Sequence, residues 1–118
     1  MDKKISIILS TYNEASIIKT TINKIFSTIK NVEIVLVDDN SNDGTLEIIN
    51  SIQNKNLKIF TRKSRGLASA FLLGMINTDG DYIGWTDSNM PQLLHHFNEM
   101  IEKLDSYDLV LLSRYVDG

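Results

Sequence analysis

The chain has 118 residues, 42% hydrophobic and 23% charged, ordinary values for one globular domain with its own core, so disordered and fibrous classes are excluded. Its 12 basic and 15 acidic residues leave a net charge of −3, which argues against bulk attraction to nucleic acid. With no cysteine, disulfides and thiolate metal sites are excluded and a reducing compartment is permitted; no apolar run approaches the roughly 20 residues that span a bilayer.

The N-terminal "MDKKISIILSTYNE" carries no cleavage-site pattern and reads as a first strand over Ile5 to Ser10. Next, Ile18, Ile22, Ile25 and Ile29 fall at helical spacing, with Ile17 and Phe26 widening the stripe; Asn13 is the expected N-cap and Glu14 suits the first turn. "VEIVLV" (Val32 to Val37) is a β-branched, almost wholly apolar second strand of the kind covered on both faces. "TLEIINSIQ" is a short helix, "LKIFT" (Leu57 to Thr61) a third strand, and "GLASAFLLGMIN" a helix with small residues on part of its surface. "YIGWTD" (Tyr82 to Asp87) is a fourth strand, with Trp85 assigned to the core. "MPQLLHHFNEMIEKL" is an amphipathic helix with His95 and His96 off its apolar stripe, and "DLVLLS" (Asp108 to Ser113) is a fifth strand. Such alternation predicts an α/β fold, five strands alternating with four helices in a mostly parallel sheet flanked on both faces.

Open parallel sheets bind ligands outside the carboxyl ends of their strands. Those ends carry Ser10, Thr11 and Tyr12; Asp38 and Asp39; Thr61 and Arg62; Asp87, Ser88 and Asn89; and Ser113 and Arg114. A rim with this many carboxylates calls for a cation or for hydrogen-bond donors. Asp87 and Asn89, two residues apart, can bring two oxygens to one ion, or can form an Asx-type turn before the helix that Pro91 helps start. Asp38 and Asp39 are consecutive, so they point to opposite sides; one can hold the following turn while the other accepts hydrogen bonds from a sugar or base. Gly66 follows Arg62, Lys63 and Arg65 at a helix start, where backbone N–H groups and cations can hold phosphate, although Gly66 and Gly74 also suit helix packing. Tyr12 fits either a base-stacking wall or the core, and Arg114 fits a phosphate or a surface ion pair.

Five stretches stand in order and at familiar spacing: "ISIILSTYNEASII", "EIVLVDDNSNDGT", "SRGLASAFLLGM", "GDYIGWTDSNMPQ" and "DLVLLSRYVDG". Together they resemble the N-terminal, donor-binding half of a family 2 glycosyltransferase with the GT-A fold, in the branch of the dolichol-phosphate mannosyltransferases and related polyprenyl-phosphate glycosyltransferases. The resemblance implies one nucleotide-sugar-binding domain over residues 1–118, ending before the family's acceptor-binding part. It implies a nucleotide-diphosphate sugar, GDP-mannose or UDP-glucose in type, held by Thr11, Tyr12, Asn13, Glu14, Asp38, Asp39, Arg65, Gly66 and Asp87. It implies Mg²⁺ or Mn²⁺ at Asp87 and Asn89, where Asn89 replaces the second aspartate of the usual motif, and catalytic roles for Asp87 and Arg114. The implied acceptor is a polyprenyl or dolichyl phosphate, and the implied location is cytoplasmic, peripheral at the membrane face. A non-catalytic nucleotide-sugar-binding module, or the inactive half of a longer enzyme, is the alternative. Nucleic acid is not an expected partner, and a truncated sheet with an open edge permits self-association.

Overall fold

A computed structural model describes residues 3–63, 67–87 and 97–103. Among these, strands and helices alternate as β1 (Ile5–Thr11), α1 (Ile18–Thr28), β2 (Val32–Asp38), α2 (Thr45–Asn50), β3 (Leu57–Thr61), α3 (Leu67–Met75), β4 (Tyr82–Asp87) and α4 (Phe97–Lys103). The described sheet has four strands in the order β3-β2-β1-β4, all parallel. The expected fifth strand, 108–113, lies outside the described residues, as do residues 90–96 and 104 of the expected last helix.

Register explains how the two faces are filled. Ile5, Ile7 and Leu9 of β1 lie beside Val32, Ile34 and Leu36 of β2. Their side chains share one face and form a cluster with Ile18, Ile22, Ile25 and Ile29 from the α1 segment and Ile49 of α2. Burying each such isoleucine stabilises the fold by roughly 1.5–3 kcal/mol before entropy is counted. The intervening residues face the other way, where α3 packs on β1 and β2. Gly74 sets that approach: a Cβ there would stand 2.4 Å from the Ile8 side chain, so only glycine lets helix and strand lie so close.

Two expectations are corrected. Asn13 does not cap α1, which starts at Ile18 after Ile17 without any side-chain cap and has no acidic residue in its first turn. The Asn13 side-chain oxygen instead accepts the Asn42 N–H, so it is spent on a loop contact. Trp85 is not core: it is 41% exposed, with one ring contact to Phe71 at 5.2 Å. The cause is topological, since β4 is an edge of the described sheet and α3 lies over β1 and β2.

Candidate functional site

The chain builds outward from β1 through β2 to β3, then returns past β1 to lay down β4. Strand order therefore reverses between β1 and β4, and the crevice outside the carboxyl ends at such a switch point is where open α/β sheets take ligands. Thr11 ends β1, Asp38 ends β2 and Asp87 ends β4, with Ser10 in register with both Val37 and Asp87.

The adjacent aspartates separate at once. Asp38 has the strand parity of Leu36 and is fully buried. Its two oxygens accept the Ser41 backbone N–H at 2.8 Å and the Ser41 hydroxyl at 2.6 Å, so it holds the turn that follows. Asp39 points to the opposite side and is gripped by Arg62, whose Nε donates to Oδ1 at 2.5 Å and Nη2 to Oδ2 at 3.2 Å. The Asp39 N–H donates to the Thr11 carbonyl at 3.1 Å, which carries the β1–β2 ladder one residue beyond β2. Repulsion between the neighbours is met by separate partners on separate faces.

The loops after β1 and β2 are stitched together. The Asn13 N–H donates to the Ser41 hydroxyl at 2.8 Å, and the Asn42 N–H to the Asn13 side-chain oxygen at 2.9 Å. The Glu14 N–H donates to the Thr45 hydroxyl at 3.0 Å, and the Ala15 N–H to Asp43 at 3.2 Å. Asp43 also accepts the Thr45 N–H at 3.1 Å and the Thr45 hydroxyl. The Thr45 hydroxyl first, and then the backbone donors, hold the Asp43 carboxyl below its ordinary value against the opposing effect of burial. Tight turning makes this possible: Asn13, Asn40 and Gly44 have φ of 52°, 65° and 98°, a region open to glycine and tolerated by asparagine.

Of the residues singled out in the sequence, Thr11, Tyr12, Asn13, Glu14, Asp38 and Asp39 come together on this rim, and Asp87 ends the neighbouring strand. Thr11 is buried, and Tyr12 and Glu14 are half-buried. Arg65, Gly66, Asn89 and Arg114 lie outside the described residues. Sequence reasoning passed over Ser41, Asp43 and Thr45. The signal for them was the run of turn formers in "NSNDGT", whose short side chains bond their own backbone. It also placed Arg62 at a strand end and offered it, with Lys63 and Arg65, to a phosphate, whereas Arg62 bonds Asp39.

Among the described residues, no group of three or more His, Asp or Glu side chains forms a cage for a metal. Asp87, a hard oxygen donor by residue type, ends β4 at the switch point. Mg²⁺ commonly takes one or two protein carboxylates and completes its shell with water and substrate phosphates, so this donor fits an ion that arrives with a nucleotide.

The sequence profile of glycosyl transferase family 2 matches residues 6–118. The chain belongs to that family. It is 30% identical to dolichol-phosphate mannosyltransferase of Saccharomyces cerevisiae, covering 100% of this chain and 47% of that protein. It is 33% identical to cholesterol galactosyltransferase of Borreliella burgdorferi, covering 96% of this chain and 33% of that one. Among solved structures, the mannosyltransferase PcManGT of Pyrobaculum calidifontis, in complex with GDP-Man and Mn²⁺, is similar at a TM-score of 0.68 and 25% identity, over 75% of this chain and 28% of that one. The chain thus spans less than half the length of these relatives. The GT-A architecture is the expected one, with four described strands in place of the five predicted. No helix among the described residues is long and apolar enough to cross a membrane.

Proposed function

We propose that this chain is the donor-binding part of a glycosyltransferase that moves a hexose from a nucleotide-diphosphate sugar to an acceptor. The observation that carries the reading is the juxtaposition of Thr11, Asp39 and Asp87 at the carboxyl ends of β1, β2 and β4, around the switch point of a sheet within the family match. Asp39 accepts N–H or O–H donors from the base or ribose, for each carboxylate oxygen keeps a second lone pair beside the bond from Arg62. The stitched loops carrying Asn13 and Ser41 keep that wall in place, so little ordering is left for the moment of binding. Asp87 and, outside the described residues, Asn89 would hold Mg²⁺ or Mn²⁺. When bound, such an ion stabilises the charge of the departing nucleoside diphosphate. Arg65, Gly66 and Arg114, which lie outside the described residues, are the residues proposed to meet the phosphates.

A polyprenyl or dolichyl phosphate is the proposed acceptor. Its oxygen is already ionised at neutral pH and needs no general base, whereas a hydroxyl acceptor does. The similarity to a dolichol-phosphate mannosyltransferase supports this choice, and the similarity to a cholesterol galactosyltransferase marks the hydroxyl alternative.

The test is calorimetric titration with GDP, UDP and their sugar conjugates, with and without Mn²⁺, on wild type and Asp87→Ala. Metal-dependent binding is expected. Asp87→Ala should weaken it by at least about a hundredfold, because even outer partners of a metal ligand are worth about 10–100-fold. A folded wild-type protein that binds no nucleotide sinks the donor-site reading.

A further inference from the structure

Arg62 stands one residue past β3, and four of its hydrogen bonds converge on one corner of the rim. Its Nε and Nη2 take the two oxygens of Asp39, its Nη1 donates to the Ser69 hydroxyl of α3 at 2.5 Å, and its backbone N–H donates to the Asp38 carbonyl at 3.0 Å. The end of β2, the end of β3 and the second residue after the start of α3 are thereby joined through one guanidinium. An exposed ion pair of average geometry contributes little, about 0–1 kcal/mol. This pair differs on two counts: the side chains are only 12% and 16% exposed, and the contact is forked.

A forked contact fixes the plane of the carboxylate as well as its position, which a point charge such as lysine cannot do. An aspartate that would otherwise turn about its last side-chain bond is left with its remaining lone pairs aimed in set directions. The guanidinium also balances the Asp39 charge at a rim where Asp38 is adjacent in sequence and where a diphosphate would add more negative charge.

We infer that Arg62 is a positioning residue for nucleotide recognition, setting the orientation of Asp39 and tying it to α3 through Ser69. The inference rests on the donor-site reading of Asp39. Arg62 acts through Asp39, so its contribution to affinity should vanish when Asp39 is absent.

The experiment is titration of UDP and GDP in the presence of Mn²⁺ against wild type, Asp39→Ala, Arg62→Ala, Arg62→Lys, Ser69→Ala and the Asp39→Ala/Arg62→Ala double variant, with thermal melts alongside. Asp39→Ala and Arg62→Ala should each weaken the Kd by about tenfold, the scale of one charged hydrogen bond. The double variant should bind no more weakly than Asp39→Ala alone. Arg62→Lys, which keeps the charge and loses the fork, should still bind severalfold more weakly with its melting temperature close to wild type, so the test survives if Arg62→Ala does not fold. Ser69→Ala should show a smaller loss in the same direction.

A folded Arg62→Ala or Arg62→Lys with wild-type affinity overturns the inference and leaves Asp39 in its role. Losses that add fully in the double variant overturn it too, because Arg62 would then touch the nucleotide itself. Asp39→Ala with unchanged affinity removes the donor-site reading at Asp39 and the inference with it.

Discussion

Glu33 and Asp38 stand near opposite ends of β2, and both carboxylates are buried, yet they are neutralised in different ways. Glu33 meets cations: Lys58 at 3.1 Å and, more distantly, Lys4 at 3.8 Å. It also accepts the Ser6 hydroxyl at 2.5 Å and the Asp79 N–H at 2.7 Å, while Lys58 bonds Asp79 at 2.7 Å. The partners come from β1, β3 and the turn before β4, so a network on the amino-terminal rim joins three strands to that turn. Asp38 instead meets one neutral residue, Ser41, which in turn receives the Asn13 N–H. Arg62, a cation at that rim, goes to Asp39. One rim uses its charges to hold strands together. The other uses short hydrogen bonds within and between loops and pairs Asp39 with Arg62 beside the crevice. Strand polarity is the reason: both rims share the same four strands, and the crevice suited to a ligand opens only at the carboxyl ends.

Substitution should separate the two roles. Glu33→Ala has the largest expected effect on stability. It leaves the buried Ser6 hydroxyl and the Asp79 N–H without their acceptor, and should lower the unfolding free energy by about 3 kcal/mol in denaturant titration. Nucleotide affinity should stay at the wild-type value; a matching loss of affinity in the folded protein would break the division between rims. Asp38→Asn should cost less, about 1–2 kcal/mol, because one oxygen still accepts from Ser41 while the amide group cannot. Unlike Glu33→Ala, it should also weaken nucleotide binding, since Ser41 supports the Asn13 loop.

The smallest effect is in pH. Burial acts to raise the Glu33 pKa, but the Ser6 hydroxyl, the Asp79 N–H and the Lys58 ammonium together outweigh it and hold the group below its ordinary value of 4.5. A carboxyl depressed in the folded state contributes stability that is complete above its unfolded value and is lost as pH falls through the folded one. Thermal melts should therefore show stability level from neutral pH down to about that ordinary value, then declining in acid. Glu33→Ala should flatten part of the decline. A remainder should persist, because the Lys58 ammonium likewise depresses Asp79, and the Thr45 hydroxyl depresses Asp43. An unchanged acid slope in Glu33→Ala would remove Glu33 from the account of the amino-terminal rim.

Much of the molecule was legible from residue order. The strands at Leu57–Thr61 and Tyr82–Asp87 fall where the alternation placed them, and the α1 stripe of Ile18, Ile22 and Ile25 is buried as its spacing predicts. Periodicity and β-branching act within a few residues, so they survive without any knowledge of neighbours. The same locality makes the polar clustering at strand ends readable once the strands are known to be parallel. Partner choice was not local. Asn13 and Glu14 carry the signature of a helix start, yet the loop 28 or more residues away claims their bonds and delays the helix to Ile18. Trp85 has the hydropathy of a core residue, and only the strand order, which puts β4 at an edge of the described sheet, leaves it half exposed. The sequence by itself determined the alternation, the buried stripes and the acidic rim, because those depend on spacing along the chain. Tertiary structure alone decided which aspartate is buried and which is gripped by Arg62, because that depends on which distant residues the crossovers bring to each face.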